Sequence, residues 1–246
     1  MSVVLVTGGS RGIGAAIALA CASDGYDVAI NYASHAQAAE DVATQVRAMG
    51  RSAITVQADV ADEAQVLAMF ARIDAEAAGP LVGLVNNAGI VVPAARLESH
   101  TMARWERVFA VNVLGTLACC REAAKRMSTK HGGAGGAIVN LSSRAAVYGS
   151  SGIYVDYAAT KGAIDTLTLG LAKELITEGI RVNGVRPGVI DTEIHADSGV
   201  DAHAVIASLP IGRLGRAEEI AEAVRWLLSP AASYCVGTIV DVAGGR

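Results

Sequence analysis

Residues 3–14 read "VVLVTGGSRGIG", a short apolar run that passes through glycines into a helical pattern. The run "VVLV" has no polar position, which is typical of a strand covered on both faces. Glycines at 8, 12 and 14 allow another group to approach the backbone closely where a helix begins. The free N–H groups of a helix N-terminus bind phosphate, so this turn is a candidate phosphate site. Its spacing differs from GxGxxG, and a plain strand-to-helix turn is the alternative.

The same alternation of short apolar runs and helical patterns continues along the chain. Strands are predicted at 3–7, 27–32, 53–58, 81–86, 136–141, 180–186 and 238–242, and helices near 12–24, 36–49, 62–78, 102–130, 155–178 and 216–228. This order predicts right-handed βαβ units in a doubly wound, seven-stranded parallel sheet with helices on both faces. No linker or repeat interrupts it, so residues 1–246 are expected to form one α/β domain.

Composition excludes several classes of function. The 246 residues are 52% hydrophobic and carry a net charge of −4, without a long basic run, so no nucleic acid partner is expected. No apolar stretch reaches about 18 residues, and the first residues lack the basic start of a signal peptide, so no membrane association is expected. The four cysteines have no disulfide or zinc spacing, which predicts reduced thiols in a cytoplasmic protein with no metal site.

Ligands of such sheets bind beyond the carboxyl ends of the strands, so the residues that follow each strand are the candidates. The second strand ends in Asn31, Ala33 and Ser34, with no acid to accept from a ribose hydroxyl. Asn31 and Ser34 can donate hydrogen bonds, and Arg11 in the glycine turn adds positive charge. This pattern favours NADP(H) over NAD(H), unless Arg11 is an ordinary solvated loop residue.

Two further strand ends carry polar groups. After the third strand, the Asp59 carboxylate can accept from an adenine amino group while Val60 packs on the ring. Asp59 could instead cap the next helix, although Asp62 suits that role better. The fourth strand ends in "NNAG", residues 86–89, where the amides of the asparagines can join neighbouring strands and hold a ribose through Asn87, Ala88 and Gly89.

The chemistry is expected where the fifth strand ends in "NLSS", with Ser142 and Ser143, and the next helix begins in "YVDYAATK", residues 154–161. Tyr157 and Lys161 are four residues apart and therefore share one helix face. A free tyrosine has a pKa of about 10, and a nearby ammonium group would lower it. The pair is a candidate general acid/base, although spacing alone also fits an ordinary helix surface.

Taken together, "TGGSRGIG", "NNAG", "NLSS…YAATK" and "RPGVIDT" resemble the short-chain dehydrogenase/reductase family over essentially the whole chain, near 3-oxoacyl-carrier-protein reductases and glucose 1-dehydrogenases. The resemblance implies that Tyr157 is the acid/base and that Lys161 holds the nicotinamide ribose and lowers the tyrosine pKa. Ser143 would bind the substrate oxygen, with Ser142 the alternative because the separation from Tyr157 is one residue longer than usual. Tyr154 would line the substrate pocket or pack on the helix.

The resemblance also implies the remaining site residues. The carbonyl of Asn112 would position a water that, with Lys161 and the ribose, returns a proton to the tyrosine. The cofactor would contact the glycine turn and the segment after the sixth strand, that is Gly8, Ser10, Arg11, Gly12, Ile13, Gly14, Pro187, Gly188, Ile190 and Thr192. Residues 191–215 would form a substrate lid. The helices at 102–130 and 155–178 and the last strand would build a homotetramer.

The predicted function is an NADP(H)-dependent interconversion of a small carbonyl compound and its alcohol. One alternative is a dedicated 3-oxoacyl-carrier-protein reductase, which would need a basic face for its acidic partner. Candidates for that face are Arg121, Lys125, Arg126 and Lys130. Glu178 weakens this alternative, because such reductases often carry a basic residue there. A non-catalytic nucleotide-binding regulator is the other alternative. Such a protein would need only the phosphate-binding turn, so the additional presence of the serine, tyrosine, lysine and asparagine argues against it.

Overall fold

Seven parallel strands form one sheet in the computed structural model, which describes residues 2–192, 206–207 and 209–246. The strands are β1 Val3–Val6, β2 Asp27–Tyr32, β3 Ala53–Gln57, β4 Leu81–Asn86, β5 Gly136–Leu141, β6 Ile180–Pro187 and β7 Ile239–Val242. Their order is β3-β2-β1-β4-β5-β6-β7, and each neighbouring pair is parallel. From β1 the strand order runs outward to β3 on one side, and from β4 it runs outward to β7 on the other. In sheets of this kind the ligand crevice lies at this reversal, beyond the carboxyl ends of β1 and β4.

Helices cover both faces of the sheet. Within the described ranges they are α1 Gly12–Ser23, α2 Ala36–Ala48, α3 Glu63–Glu76, α4 Met102–Phe109, α5 Thr116–Met127, α6 Ala145–Tyr148, α7 Val155–Leu175 and α8 Ala217–Leu228, with 3₁₀ turns at Leu97–Ser99, Thr129–His131, Ile176–Glu178 and Pro230–Ala232. Val4 and Val6 of β1 pack in the core that α1, α2 and α8 cover, while Val3 and Leu5 face the core under α3, α5 and α7. The predicted single-domain Rossmann fold is confirmed.

The helix predicted at 102–130 differs from the structure. It is divided into α4 and α5 by a π-helical turn at Ala110–Gly115. A β-carbon on Gly115 would lie 2.8 Å from both Val60 Cγ2 and the Val60 carbonyl oxygen. Only glycine therefore allows the backbone of this turn to pass so close to the residue that follows β3. Single π turns of this kind are frequent at functional sites, and this one contains Asn112.

Three further expectations concern the lid, the cysteines and membrane association. Most of the predicted lid, 191–215, lies outside the described residues. The four cysteines are free thiols, and burial raises the pKa of Cys21 and of Cys120 to about 12. In the described part of the chain, no helix has the length and apolar character that a membrane span needs.

Candidate active site

The glycine turn between β1 and α1 has the shape expected of a phosphate cradle. Gly8 and Gly12 have φ values of +60° and +53°, which disfavour other residues. A β-carbon on Gly14 would overlap the Gly8 carbonyl oxygen and the Asn87 amide nitrogen. Asn87 Nδ2 donates to the carbonyls of Thr7 and Gly8, both at 3.0 Å. Asn87, the residue after β4, thus joins the glycine turn to the neighbouring strand, and the turn leads into the N-terminus of α1.

Asn31 takes a different position from the expected one. Its side chain is only 1% exposed, because it lies beneath the glycine turn. Oδ1 accepts from the Gly8 N–H at 3.2 Å, and Nδ2 donates to the Ala58 carbonyl at 3.0 Å. The amide donors are thus used inside the protein and shape the turn from below. Ala33 and Ser34 are exposed at the end of β2.

At the end of β3, the Asp59 carboxylate has a partner that the sequence did not reveal. Arg107 of α4 lies 2.8 Å from Asp59 Oδ2, and the Ala61 N–H donates to Oδ1 at 3.0 Å. The helix-capping role belongs to Asp62, which accepts from the first N–H groups of α3. Val60 is buried against the π turn. The sequence alone does not reveal the Arg107–Asp59 pair, because only the tertiary packing of α4 brings the two residues together.

The segment after β6 faces the glycine turn. A β-carbon on Gly12 would lie 3.4 Å from Thr192 Cγ2, so the two segments approach each other. Gly188 donates to the Val242 carbonyl at 2.9 Å, and a side chain there would clash with Ala243. Ile190 is buried and bridges to Gly215. Pro187 to Thr192 therefore form one wall of a crevice whose other wall is the phosphate turn.

The two serines that follow β5 have different surroundings. The Ser142 hydroxyl is buried and donates to the Lys161 carbonyl at 3.1 Å. Ser143 accepts from the Ala145 N–H at 3.1 Å, and its hydroxyl acts on Tyr157 closely enough to lower the pKa of that phenol. Of the two alternatives, Ser143 is the one beside the tyrosine.

The pKa of Tyr157 differs from the expectation. Burial raises it to about 12, although the hydrogen bond with Ser143 works in the opposite direction. Lys161 Nζ lies 5.6 Å from the centre of the Tyr157 ring and does not donate to its hydroxyl. The ammonium and hydroxyl groups do not contact each other in this geometry, and burial is the larger influence on the tyrosine pKa, so the phenol is protonated at neutral pH.

Lys161 is buried at the centre of the site. Its Nζ donates to the Leu141 carbonyl at 2.6 Å, and burial lowers its pKa to about 8, against the attraction of Asp165. A β-carbon on Gly89 would lie 3.6 Å from this nitrogen and 3.4 Å from Asn112 Oδ1. Gly89 thus leaves open the space in front of the lysine, where a ribose hydroxyl would fit.

Asn112 joins three parts of the site. Its Oδ1 accepts from the Ile90 N–H at 2.8 Å, and its Nδ2 donates to Thr160 Oγ1 at 3.1 Å. Its carbonyl accepts from the Thr116 hydroxyl at 3.0 Å, and the role of that carbonyl in holding a water stays a prediction. These contacts join the π turn to the segment that follows β4 and to α7.

Tyr154, the other tyrosine of the motif, precedes the first turn of α7. Its hydroxyl is buried and has no hydrogen-bond partner among the described residues. Ser143 and Lys161 both act on Tyr157, whereas no such contact with Tyr154 is found within the described ranges.

Comparison with known proteins identifies the family of the chain. A family model described as Enoyl-(Acyl carrier protein) reductase matches residues 8–246. The chain is 53% identical to the uncharacterised oxidoreductase YgfF of Escherichia coli (strain K12), over all of both chains. It is 42% identical to cis-4-hydroxycyclohexanecarboxylate dehydrogenase of Sinomonas cyclohexanicum, over 99% of this chain and 95% of that protein.

Among solved structures, a short-chain dehydrogenase from Burkholderia cenocepacia J2315 in complex with NADP superposes with a TM-score of 0.89, at 38% identity, over 98% of this chain and 96% of that one. The chain belongs to the short-chain dehydrogenase/reductase family. As a short-chain dehydrogenase/reductase it is an oxidoreductase that acts on CH–OH groups with a nicotinamide cofactor. A non-catalytic regulator is therefore set aside.

Proposed function

We propose that this short-chain dehydrogenase/reductase interconverts a carbonyl compound and its alcohol with NADP(H), and that Tyr157 is the general acid and base. The observation that carries the proposal is the grouping of Ser143, which lowers the pKa of the Tyr157 phenol, with the buried Lys161, whose Nζ lies 5.6 Å from the tyrosine ring centre. All three groups lie at the carboxyl end of β5, where a doubly wound sheet binds its ligand.

The residues present fit a nicotinamide dinucleotide. The glycine turn would hold the pyrophosphate, Asp59 and Val60 the adenine, Gly89 and Lys161 the nicotinamide ribose, and the segment from Pro187 to Thr192 the nicotinamide. When bound, the reduced cofactor supplies a hydride. Ala33 and Ser34 carry no negative charge at the end of β2, and Arg11 is exposed in the glycine turn, which supports a preference for the 2′-phosphate of NADP(H).

In reduction, the two hydroxyls would receive the carbonyl oxygen of the substrate. Ser143 donates a hydrogen bond that orients the carbonyl, and Tyr157 donates the proton to the oxygen as it gains negative charge. The raised pKa of Tyr157 keeps the phenol protonated at neutral pH, which is the form that reduction needs. The ammonium group of Lys161, close to the ring, stabilises the phenolate that remains.

A 3-oxoacyl-carrier-protein reductase is the second candidate, because the description of the matching family model names a carrier protein. The proposed basic face does not support it. Each of its four cations is paired: Arg121 with Glu63 and Glu122, Lys125 with Glu122, Arg126 with Asp74 and Glu122, and Lys130 with Glu178. Four carboxylates balance four cations, so this face offers little attraction to an acidic carrier.

The chain's surface supports a homotetramer. One exposed apolar patch comprises Leu114 and Leu117, which are three residues apart in the helical segment. A second lies around Leu169 of α7, which approaches Gly237, and the neighbouring Tyr234 and Val236 before β7; Trp226 of α8 is also exposed. A monomer rarely exposes several such residues together, and two separate patches suit two kinds of twofold interface. We also propose a cytoplasmic location, in which the four free thiols would stay reduced.

The test is NADPH oxidation, followed by absorbance, with a ketone, an aldehyde, a sugar and an acyl thioester. Each acyl thioester is offered both free and on a carrier protein, and Tyr157→Phe serves as the matched control. We expect at least one small carbonyl compound to be reduced well above the control. A strong preference for the carrier-bound thioester would favour the second candidate. NADPH binding without turnover of any class would contradict the proposed function.

A further inference from the structure

A buried ion pair lies directly beside the proposed acid/base. Arg104 of α4 donates to both oxygens of Asp156, with Nε at 2.6 Å from Oδ2 and Nη2 at 3.2 Å from Oδ1. The Asp156 side chain is 2% exposed. Burial opposes its ionisation, but the hydrogen bonds from Arg104 and from the Tyr157 N–H outweigh this and lower the pKa of Asp156. The pair is therefore ionised.

Asp156 is bonded to the backbone of the reactive residue itself. Its Oδ1 accepts from the Tyr157 N–H at 2.9 Å, within the first turn of α7. A carboxylate at this position is stabilised by the positive end of the helix dipole. The carboxylate therefore fixes the backbone at Tyr157, and Arg104 in turn fixes the carboxylate.

The same guanidinium group holds the segment between β4 and α4, residues 87–101. Arg104 Nη1 donates to the Pro93 carbonyl at 2.7 Å. Two residues later, the Ala95 N–H donates to the Ile153 carbonyl at 3.0 Å, just before α7. Arg104 thus joins this segment to the start of the catalytic helix.

His100 supplies a second contact between the segment and the carboxylate. Trp105 Nε1 can only donate, and it lies 3.0 Å from His100 Nδ1, so Nδ1 accepts. His100 Nε2 then donates to the Ala95 carbonyl at 3.2 Å. The buried imidazole places its Nδ1 3.7 Å from Asp156 Oδ2. The carboxylate is consequently enclosed by the 87–101 segment and α4.

We propose that Arg104 is a positioning residue for the reaction: through Asp156 it fixes Tyr157 at the start of α7, and through Pro93 it fixes the 87–101 segment against it. The inference rests on the proposed function, because it concerns the geometry of proton transfer from Tyr157. Removing one partner of a buried ion pair leaves an uncompensated charge, so the contact cannot be lost without local rearrangement. A displacement of about 1 Å at a reacting group can lower the rate roughly a hundredfold.

The experiment compares Arg104→Gln with Arg96→Gln, which removes an exposed arginine of the same segment that pairs with Glu98. For Arg104→Gln we expect kcat to fall about tenfold or more, with the Kd for NADPH, measured by fluorescence, within about twofold of the parent. Amide hydrogen exchange without cofactor or substrate should accelerate at Tyr157 and Ala95, and nowhere near the glycine turn. Arg96→Gln should resemble the parent in all three measurements.

Arg104→Lys keeps the charge but cannot bond Asp156 and the Pro93 carbonyl together, and we expect a smaller loss of kcat in the same direction. It also serves as the readout if Arg104→Gln does not fold. Parental kcat and parental exchange at Tyr157 in the folded Arg104 variants would overturn the inference. Because the parent is assayed in parallel, inactivity of the parent would speak against the proposed function, while the exchange measurement would still test the contact.

Discussion

At the residue scale, Lys161 shows how burial and charge oppose each other in this site. The lysine is 5% exposed, and burial lowers its pKa to about 8 from the ordinary 10.5. Between these two values the unfolded chain binds a proton that the folded protein does not. The free energy of unfolding therefore rises with pH through this window, and the stability gained is lost again as the pH falls through about 8.

This linkage predicts how Lys161→Met changes stability. Between about pH 7 and pH 10 the parent should gain roughly 2–3 kcal/mol relative to Lys161→Met, since one pKa unit corresponds to about 1.4 kcal/mol. The measurement is urea unfolding of both proteins across this range, with Lys125→Met, an exposed lysine paired with Glu122, as the control. Parallel pH curves for the parent and Lys161→Met would show that the lysine is not shifted as described.

Sequence spacing located Tyr157 and Lys161, because residues four apart in a helix share a face whatever the tertiary structure. It could not locate Arg107 beside Asp59 or Arg104 beside Asp156, since those contacts depend on how α4 packs against β3's end and α7. It also placed Asn31 at the cofactor, whereas the side chain is buried under the turn. The strand itself was placed correctly at Asp27–Tyr32, and only the contacts with Gly8 and Ala58 show where the Asn31 amide points.

At the scale of elements, we expect the glycine turn and the end of β2 together to set the choice of cofactor. A charge-assisted hydrogen bond from Arg11 to a 2′-phosphate would contribute about 1.5–3 kcal/mol. Arg11→Ala should then lower kcat/KM for NADPH about tenfold to a hundredfold and leave NADH nearly unaffected. Ala33→Asp, at the exposed end of β2, should repel the phosphate and favour NADH by accepting from its ribose hydroxyl.

The comparison requires kcat/KM with both cofactors in the parent and the two variants. Arg51→Ala, at a distant turn between α2 and β3, is a suitable control. A parent that prefers NADH and does not respond to Arg11→Ala would contradict this account of the turn.

The elements themselves were largely predictable, because continuous apolar runs and helical periodicity are local properties of the chain. The π turn at Ala110–Gly115 was not, since "AVNVLG" has ordinary helical character and widens only where Gly115 meets Val60. The short helix α6 was also missed. Its four residues are too few to show a period, and it ends at Gly149, whose φ is +73°.

At the scale of the whole molecule, the strand order follows from the alternation of strands and helices and from the right-handed crossover rule. The exposed apolar side chains predict that the chains assemble into a tetramer. Light scattering at micromolar concentration should give a mass four times the 25.1 kDa of the chain. Leu114→Glu places a charge in an apolar patch whose leucine is 59% exposed, and should yield dimers.

Leu67→Glu is the matched control, since this leucine is exposed on α3 and belongs to neither patch. It should remain tetrameric. A monomeric parent, or a Leu114→Glu variant that assembles like the parent, would contradict the proposed interfaces.

The measurement that tests the central claim most directly is NADPH-dependent turnover of the best carbonyl substrate by Tyr157→Phe and Tyr154→Phe. Phenylalanine keeps the ring and removes only the hydroxyl, so the loss isolates proton donation. Tyr157→Phe should lose about 100-fold or more in kcat and still bind NADPH like the parent, whereas Tyr154→Phe should retain most of its activity. An active Tyr157→Phe together with an inactive Tyr154→Phe would show that the acid/base has been assigned to the wrong tyrosine.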